Sequence, residues 1–173
     1  MRRPMGKFKF VSTDVKAFIS RVTETMLPAE GTTPEESRAV YEQLLKDIKY
    51  KDYKIVFRYN IFMPCSYNMF TDKPADAWEV VTFPSSMVLE ENNEMTLGYD
   101  YVFVNGNETT LSISLSVYNP DGEEISTSDP IDVTVVRGKL TVVKGQFLTS
   151  KAMGGVSINP TFDGKDYNVE IKY

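Results

Sequence analysis

The sequence predicts a mostly β protein, an antiparallel Greek-key β-sandwich with one or two short helices near its N-terminus. Three observations lead to it. In 109–118, Leu111, Ile113, Leu115 and Val117 alternate with Ser112, Ser114 and Ser116, the period of a strand with one face in a core and one in water. About nine such runs follow one another, separated by clusters of Gly, Pro, Asn and Asp. Helical periodicity intrudes only between about 13 and 50. A single domain over 1–173, with that stretch as a helical insertion, accommodates all three.

Taken in order, Lys7–Val11 is a short strand with Phe8 and Phe10 on one face. The period then changes. Val15, Phe18, Ile19, Val22 and Met26 form a helical stripe, Ser12, Thr13 and Asp14 offer oxygens to cap its start, and Pro28 and Gly31 end it. Thr33 fits an N-cap, Pro34 the first helical position, and Glu36 completes a capping box three residues on. Val40, Leu44 and Ile48 carry that second helix forward. Tyr53–Phe62 is a strand in which Ile55, Phe57 and Tyr59 share a face. The stretch 60–78 reads as a long aromatic loop broken by Pro64 and Pro74.

Glu79–Phe83 and Ser86–Leu89 are short strands, and Met95–Val104 is a longer one that Gly98 bends or bulges. Asn105-Gly106-Asn107 signals a hairpin to Thr109–Tyr118, and Asn119-Pro120-Asp121-Gly122 a second turn. Glu124–Ser126, Ile131–Val136, Lys139–Leu148 and Tyr167–Tyr173 complete the strands.

Composition excludes more than it assigns. The 173 residues contain no histidine, so Ser-His-Asp and Cys-His nucleophiles, H-E-x-x-H zinc sites and His-bound metals are ruled out. Cys65 is alone, which forbids an internal disulfide and any C-x-x-C motif. A net charge of −5 repels a phosphate backbone, so nucleic acid is not an expected partner. No catalytic residue, metal site or cofactor is assigned. Glu90, Glu91 and Glu94 read as solvated loop charges. Asn119, Asp121 and Glu123, or Asp163 and Asp166, offer oxygens without EF-hand spacing. Gly154-Gly155 lacks the framing of a phosphate loop. A carboxylate acid–base pair would need two acids facing across a cleft, which composition does not show.

Two sets of residues are candidates for contact. Phe62, Tyr67, Phe70 and Trp78 either plug an open end of the sandwich or form an aromatic platform for a sugar ring or a partner protein. Val169, Ile171 and Tyr173 mark the last strand as a donor or closing edge strand for β-strand-mediated assembly.

The run IDVTVVRGKLTVVKGQFLT at Ile131–Thr149 sets Arg137, Lys139, Thr141, Gly145, Leu148 and Thr149 in a recognisable order, followed by VSINPTFDG at Val156–Gly164 and the ending Asn168–Ile171. It resembles the C-terminal part of the fimbrillin-like proteins of the Bacteroidetes, a group that includes fimbrillin-A and the Mfa-type subunits. Arg3–Phe8 ahead of Ser12–Asp14 is similar to a mid-chain link in those proteins, and Pro64–Trp78 to a segment of one branch of the group. The resemblance implies a transthyretin/Ig-like sandwich. It also implies a fimbrial structural subunit, anchor or adhesin at the cell surface or outer membrane, without enzymatic activity. Its partners would be other fimbrial subunits or surface proteins of host or bacterium, and glycans. This chain would be the C-terminal part of a longer exported protein whose missing N-terminal portion carries a lipid anchor, its one contact with the membrane.

Overall fold

The computed structural model describes residues 4–23, 33–78 and 81–149, with the backbone of 156–159 and 167–171. The chain opens with strand β1 (Met5–Ser12) and helices α1 (Val15–Thr23) and α2 (Pro34–Asp47), then a turn of 3₁₀ helix at Tyr50–Asp52. Strands β2 (Lys54–Tyr59), β3 (Met63–Asn68), β4 (Lys73–Trp78), β5 (Thr82–Ser85) and β6 (Val88–Leu89) follow. The longest strands, β7 (Met95–Phe103) and β8 (Glu108–Tyr118), come next. The chain ends with β9 (Glu124–Thr127), β10 (Ile131–Val136), β11 (Leu140–Gly145), β12 (Val156–Asn159) and β13 (Tyr167–Ile171).

Strands β3 and β4 make a separate two-stranded sheet, and two larger sheets form the sandwich. One has the order β12-β13-β11-β1-β7-β6. The other runs β10-β8-β2-β5, with β9 also on β8. The expected alternation decides which faces meet. Leu111, Ile113, Leu115 and Val117 of β8 are all at most 1% exposed. Phe8 and Phe10 of β1 and Ile55 and Phe57 of β2 are fully buried. Phe10 joins the sheets, its ring 5.3 Å from Phe57 and 5.5 Å from Phe147.

The capping box forms as predicted. The Glu36 N–H donates to Thr33 Oγ1 and the Thr33 N–H to the Glu36 carboxylate. The start of α1 is built differently. The Ser12 hydroxyl accepts from the Phe147 N–H and donates to Asp14, and the Asp14 carboxylate receives the Leu148 and Thr149 N–H groups. These oxygens serve the chain after β11 instead of capping α1, because burial leaves those N–H groups no water. Leu148 and Thr149, at the end of the Ile131–Thr149 run, thus have a structural task. Pro28, Gly31 and Met26 lie outside the described residues.

Two expectations are corrected. The stretch 60–78 is not a loop: β3 and β4 pair from Met63 opposite Trp78 to Asn68 opposite Lys73. Asn105-Gly106-Asn107 reverses the chain, with Gly106 at φ 76°, but β7 and β8 belong to different sheets and do not form a hairpin. Their apolar faces look at each other across the core, so the turn is an arch. Arg137-Gly138-Lys139 makes a second arch from β10 to β11, and the Arg137 N–H donates to the Asn107 carbonyl, tying the arches together. The structure is antiparallel-dominated as expected, with two parallel pairs, β1 with β11 and β11 with β13. The Pro120–Gly122 turn does join a hairpin, β8 to β9. The bulge near Gly98 is also present: Phe10 faces Gly98 and Val11 faces Thr96, leaving Leu97 as the extra residue.

Candidate functional site

Strand β7 pairs with β1 along its whole length, from Met5 opposite Phe103 to Ser12 opposite Met95. On its other side β6 covers only Thr96 and Met95. From Gly98 to Phe103 that side pairs with no strand among the described residues. The Val104 N–H donates to the Pro4 carbonyl at 3.0 Å. Antiparallel alternation then turns the backbone groups of Val102, Asp100 and Gly98 toward β1, and those of Tyr99, Tyr101 and Phe103 toward the open side. In keeping with this, the Tyr101 N–H is taken by the neighbouring Asp100 carboxylate, at 2.7 Å.

Two grooves run along this edge, where the two sheets part. One, of about 650 Å³, lies between Thr96–Tyr99 and the segment Phe83–Ser86 with Val88. The other, of about 510 Å³, lies between Asp100–Phe103 and Pro64, Cys65, Trp78 and Thr82, with Tyr59 and Met63 at its inner side. Tyr59 donates its hydroxyl proton to Asp100 Oδ2 at 2.6 Å. Burial, then the hydrogen bond to Asp100, pushes the Tyr59 phenol far above its ordinary range, so it stays a donor. On the outer face, Tyr99 and Tyr101 stand half exposed, with the Lys7 ammonium 4.0 Å and 5.2 Å from their ring centroids.

The β3–β4 hairpin is fastened beside this edge. Tyr67 stacks on Phe103 at 5.4 Å. Its hydroxyl donates to Asp72, which also receives two bonds from Arg137 at 2.7 and 2.9 Å. Those Arg137 bonds, then the one from Tyr67, hold the Asp72 carboxyl well below the usual range.

The four sequence-predicted aromatics are spread along the β3–β4 hairpin from base to tip. Phe70, at the hairpin tip, is fully exposed, and Trp78 and Phe62 at its base are 67% and 60% exposed. Tyr67 is the half-buried member of the clasp. None plugs the sandwich, because the hairpin pairs with itself; Met63, 7% exposed, is the residue that turns inward. The closing-edge reading of β13 is corrected too. Val169 is in register with Val143 on one side and Ile158 on the other, Ile171 faces Val156, and β12 is the outer strand. Tyr173 lies outside the described residues. The outward aromatics of β7 were missed, although Tyr99, Tyr101 and Phe103 alternate with Gly98, Asp100 and Val102 and so signal an aromatic face.

Glu90 and Glu94 are not free loop charges: they pair with Lys9 and Lys144 at 2.8 Å. Cys65 is exposed and donates to the Asp76 carbonyl. Asn119 and Glu123 bond each other across their turn. Among the described residues no three His, Cys, Asp or Glu side chains assemble as a metal set.

A family model described as a family of unknown function, DUF6562, matches residues 1–172. The chain belongs to that family. No curated protein and no solved structure matches it. For this DUF6562 chain, the open β7 edge and the grooves beside it are the candidate site. Among its described residues no helix is long and apolar enough to cross a membrane.

Proposed function

We propose that this chain is a non-enzymatic assembly module of the cell surface, a fimbrial structural subunit, anchor or adhesin domain that works by β-strand addition. One observation carries the proposal: among the described residues β7 presents an unpaired edge from Gly98 to Phe103, with two grooves alongside it. An added strand would gain main-chain hydrogen bonds there, and groove shape would select its side chains. The resemblance to fimbrillin-like proteins supports the biological setting, and with it other fimbrial subunits as partners and a surface location.

Amide hydrogen exchange tests it, with the full chain at rising concentration and a synthetic peptide of residues 167–173 as probes. The expected result is fast exchange at Tyr99 and Phe103 in the dilute chain and protection of both when either probe is added. Tyr99→Pro, which removes an outward donor while Gly98 and Asp100 keep the β1 pairing, should lower that protection. Protection confined to other strands, or none, would overturn the reading.

The exposure of Trp78 supports a second reading, a carbohydrate-binding module whose indole stacks on a sugar ring. Quenching of the single tryptophan by simple saccharides tests it; an unchanged spectrum removes it.

A further inference from the structure

The 510 Å³ groove has an unusual lining. Tyr59 and Trp78 line it together with the edge of β7 from Asp100 to Phe103, and no basic residue lines it. Its one carboxylate, Asp100, is half buried. Asp100 receives the Tyr59 hydroxyl on one oxygen and the Tyr101 N–H on the other. No cation pairs with it among the described residues. Two neutral donors position this carboxylate but leave its charge uncompensated, and each oxygen keeps a lone pair. Aromatic faces attract cations, and a carboxylate in the same groove as an indole gives a planar cation both a stacking surface and a fork of acceptors. The same strand already shows the preference, since Lys7 lies over Tyr99 and Tyr101 on the outer face. The net charge of −5 favours a cation as well.

We propose that this groove is an arginine-recognition site, in which a guanidinium stacks against Trp78 and donates to Asp100. The arginine is carried by an extended partner segment lying on the β7 edge; that carrier rests on the strand-addition reading, whereas the groove chemistry does not. Guanidinium is favoured over ammonium because its plane matches the indole face and its paired N–H groups match the carboxylate. Lys7 stands over the Tyr99 and Tyr101 rings on the outer face of the same strand, and its charge opposes the ligand.

The test uses the full chain and its single tryptophan, Trp78, as reporter. N-acetyl-arginine methylamide is titrated in parallel with the lysine amide, the neutral citrulline amide, and a six-residue apolar peptide with one central arginine. The arginine amide should shift the Trp78 emission and the Asp100 and Tyr101 amide resonances saturably. The lysine amide should bind more weakly, and the citrulline amide about tenfold more weakly, since it lacks the charge. Asp100→Asn should cost about tenfold, added salt should weaken binding, and Lys7→Met should strengthen it. Trp78→Ala, at an exposed position, should fold normally and lose the response at the Asp100 and Tyr101 amides. Citrulline binding equal to arginine, or no saturation with any amide, overturns the proposal. If the peptide binds no better than the amide, the strand-addition reading fails and the groove assignment stands.

Discussion

Asp14 shows how one side chain closes this fold. Its carboxylate receives the Leu148 and Thr149 N–H groups, the Thr149 hydroxyl and the Ser12 hydroxyl, while its carbonyl accepts the Phe18 N–H at the start of α1. Asp14→Ala leaves buried donors unpaired and should cost about 1–3 kcal/mol, read as a lower midpoint in urea unfolding. The Asp72–Arg137 pair acts differently, because Asp72 is exposed and its attraction is screened. Its folded carboxyl sits below the unfolded value of about 3.9, so the stability it adds is present above that pH and is lost as pH falls through and below it. Arginine keeps its charge throughout. Hairpin amides at 67–72 should therefore lose protection relative to their intrinsic exchange rates in acid, and Asp72→Asn should produce the same loosening at neutral pH. An acid-insensitive hairpin in the native chain would show that the Tyr67–Phe103 stack holds it alone.

Strand β7 is the element on which the functional reading depends. Its bulge at Leu97 lets the strand change phase beside Gly98, so that Thr96 faces β6 and Tyr99 faces open space. Gly98 is needed for contact, since a Cβ there would stand 2.5 Å from the Phe57 ring and 2.7 Å from Ser85 Oγ. Gly98→Ala should cost about 1–3 kcal/mol through overpacking and narrow the groove lined by Phe83 and Ser85. Thermal unfolding checks the first effect and amide shifts across 96–99 the second. A glycine in an apolar strand signalled the bend in the sequence. The missing neighbour beyond it was not legible, because a strand's periodicity reports which face is buried and is silent about which edge is paired.

In the whole molecule, two sheets are held by rings that reach across from both. Phe10 contacts rings from β2 and from the chain after β11, so Phe10→Ala should cost about 3–5 kcal/mol. The loss should appear in a single unfolding transition followed by fluorescence and circular dichroism alike, since helix residues Phe18, Ile19 and Leu45 share that core. Two transitions would mean that the helical insertion melts independently. At this scale the arches matter most. Gly106 and Gly138 supply the backbone torsions a hairpin would use, yet each turn hands the chain to the opposite sheet. Turn chemistry specifies a reversal; which strand lies next to which is decided by the fit of whole apolar faces.

By itself the sequence determined the faces of the strands, the capped start of α2, the bulge beside Gly98 and the lack of histidine chemistry. These follow from sterics and patterning over a few residues. Only the tertiary structure decided that β13 is an inner strand, that β7 keeps an open edge, and that Asp100 meets Tyr59 and Asp72 meets Arg137. Those partners lie 41 and 65 residues apart, and their meeting depends on how the two sheets settle around one shared core. No local pattern carries that information, because pairing energy is spread over many distant contacts.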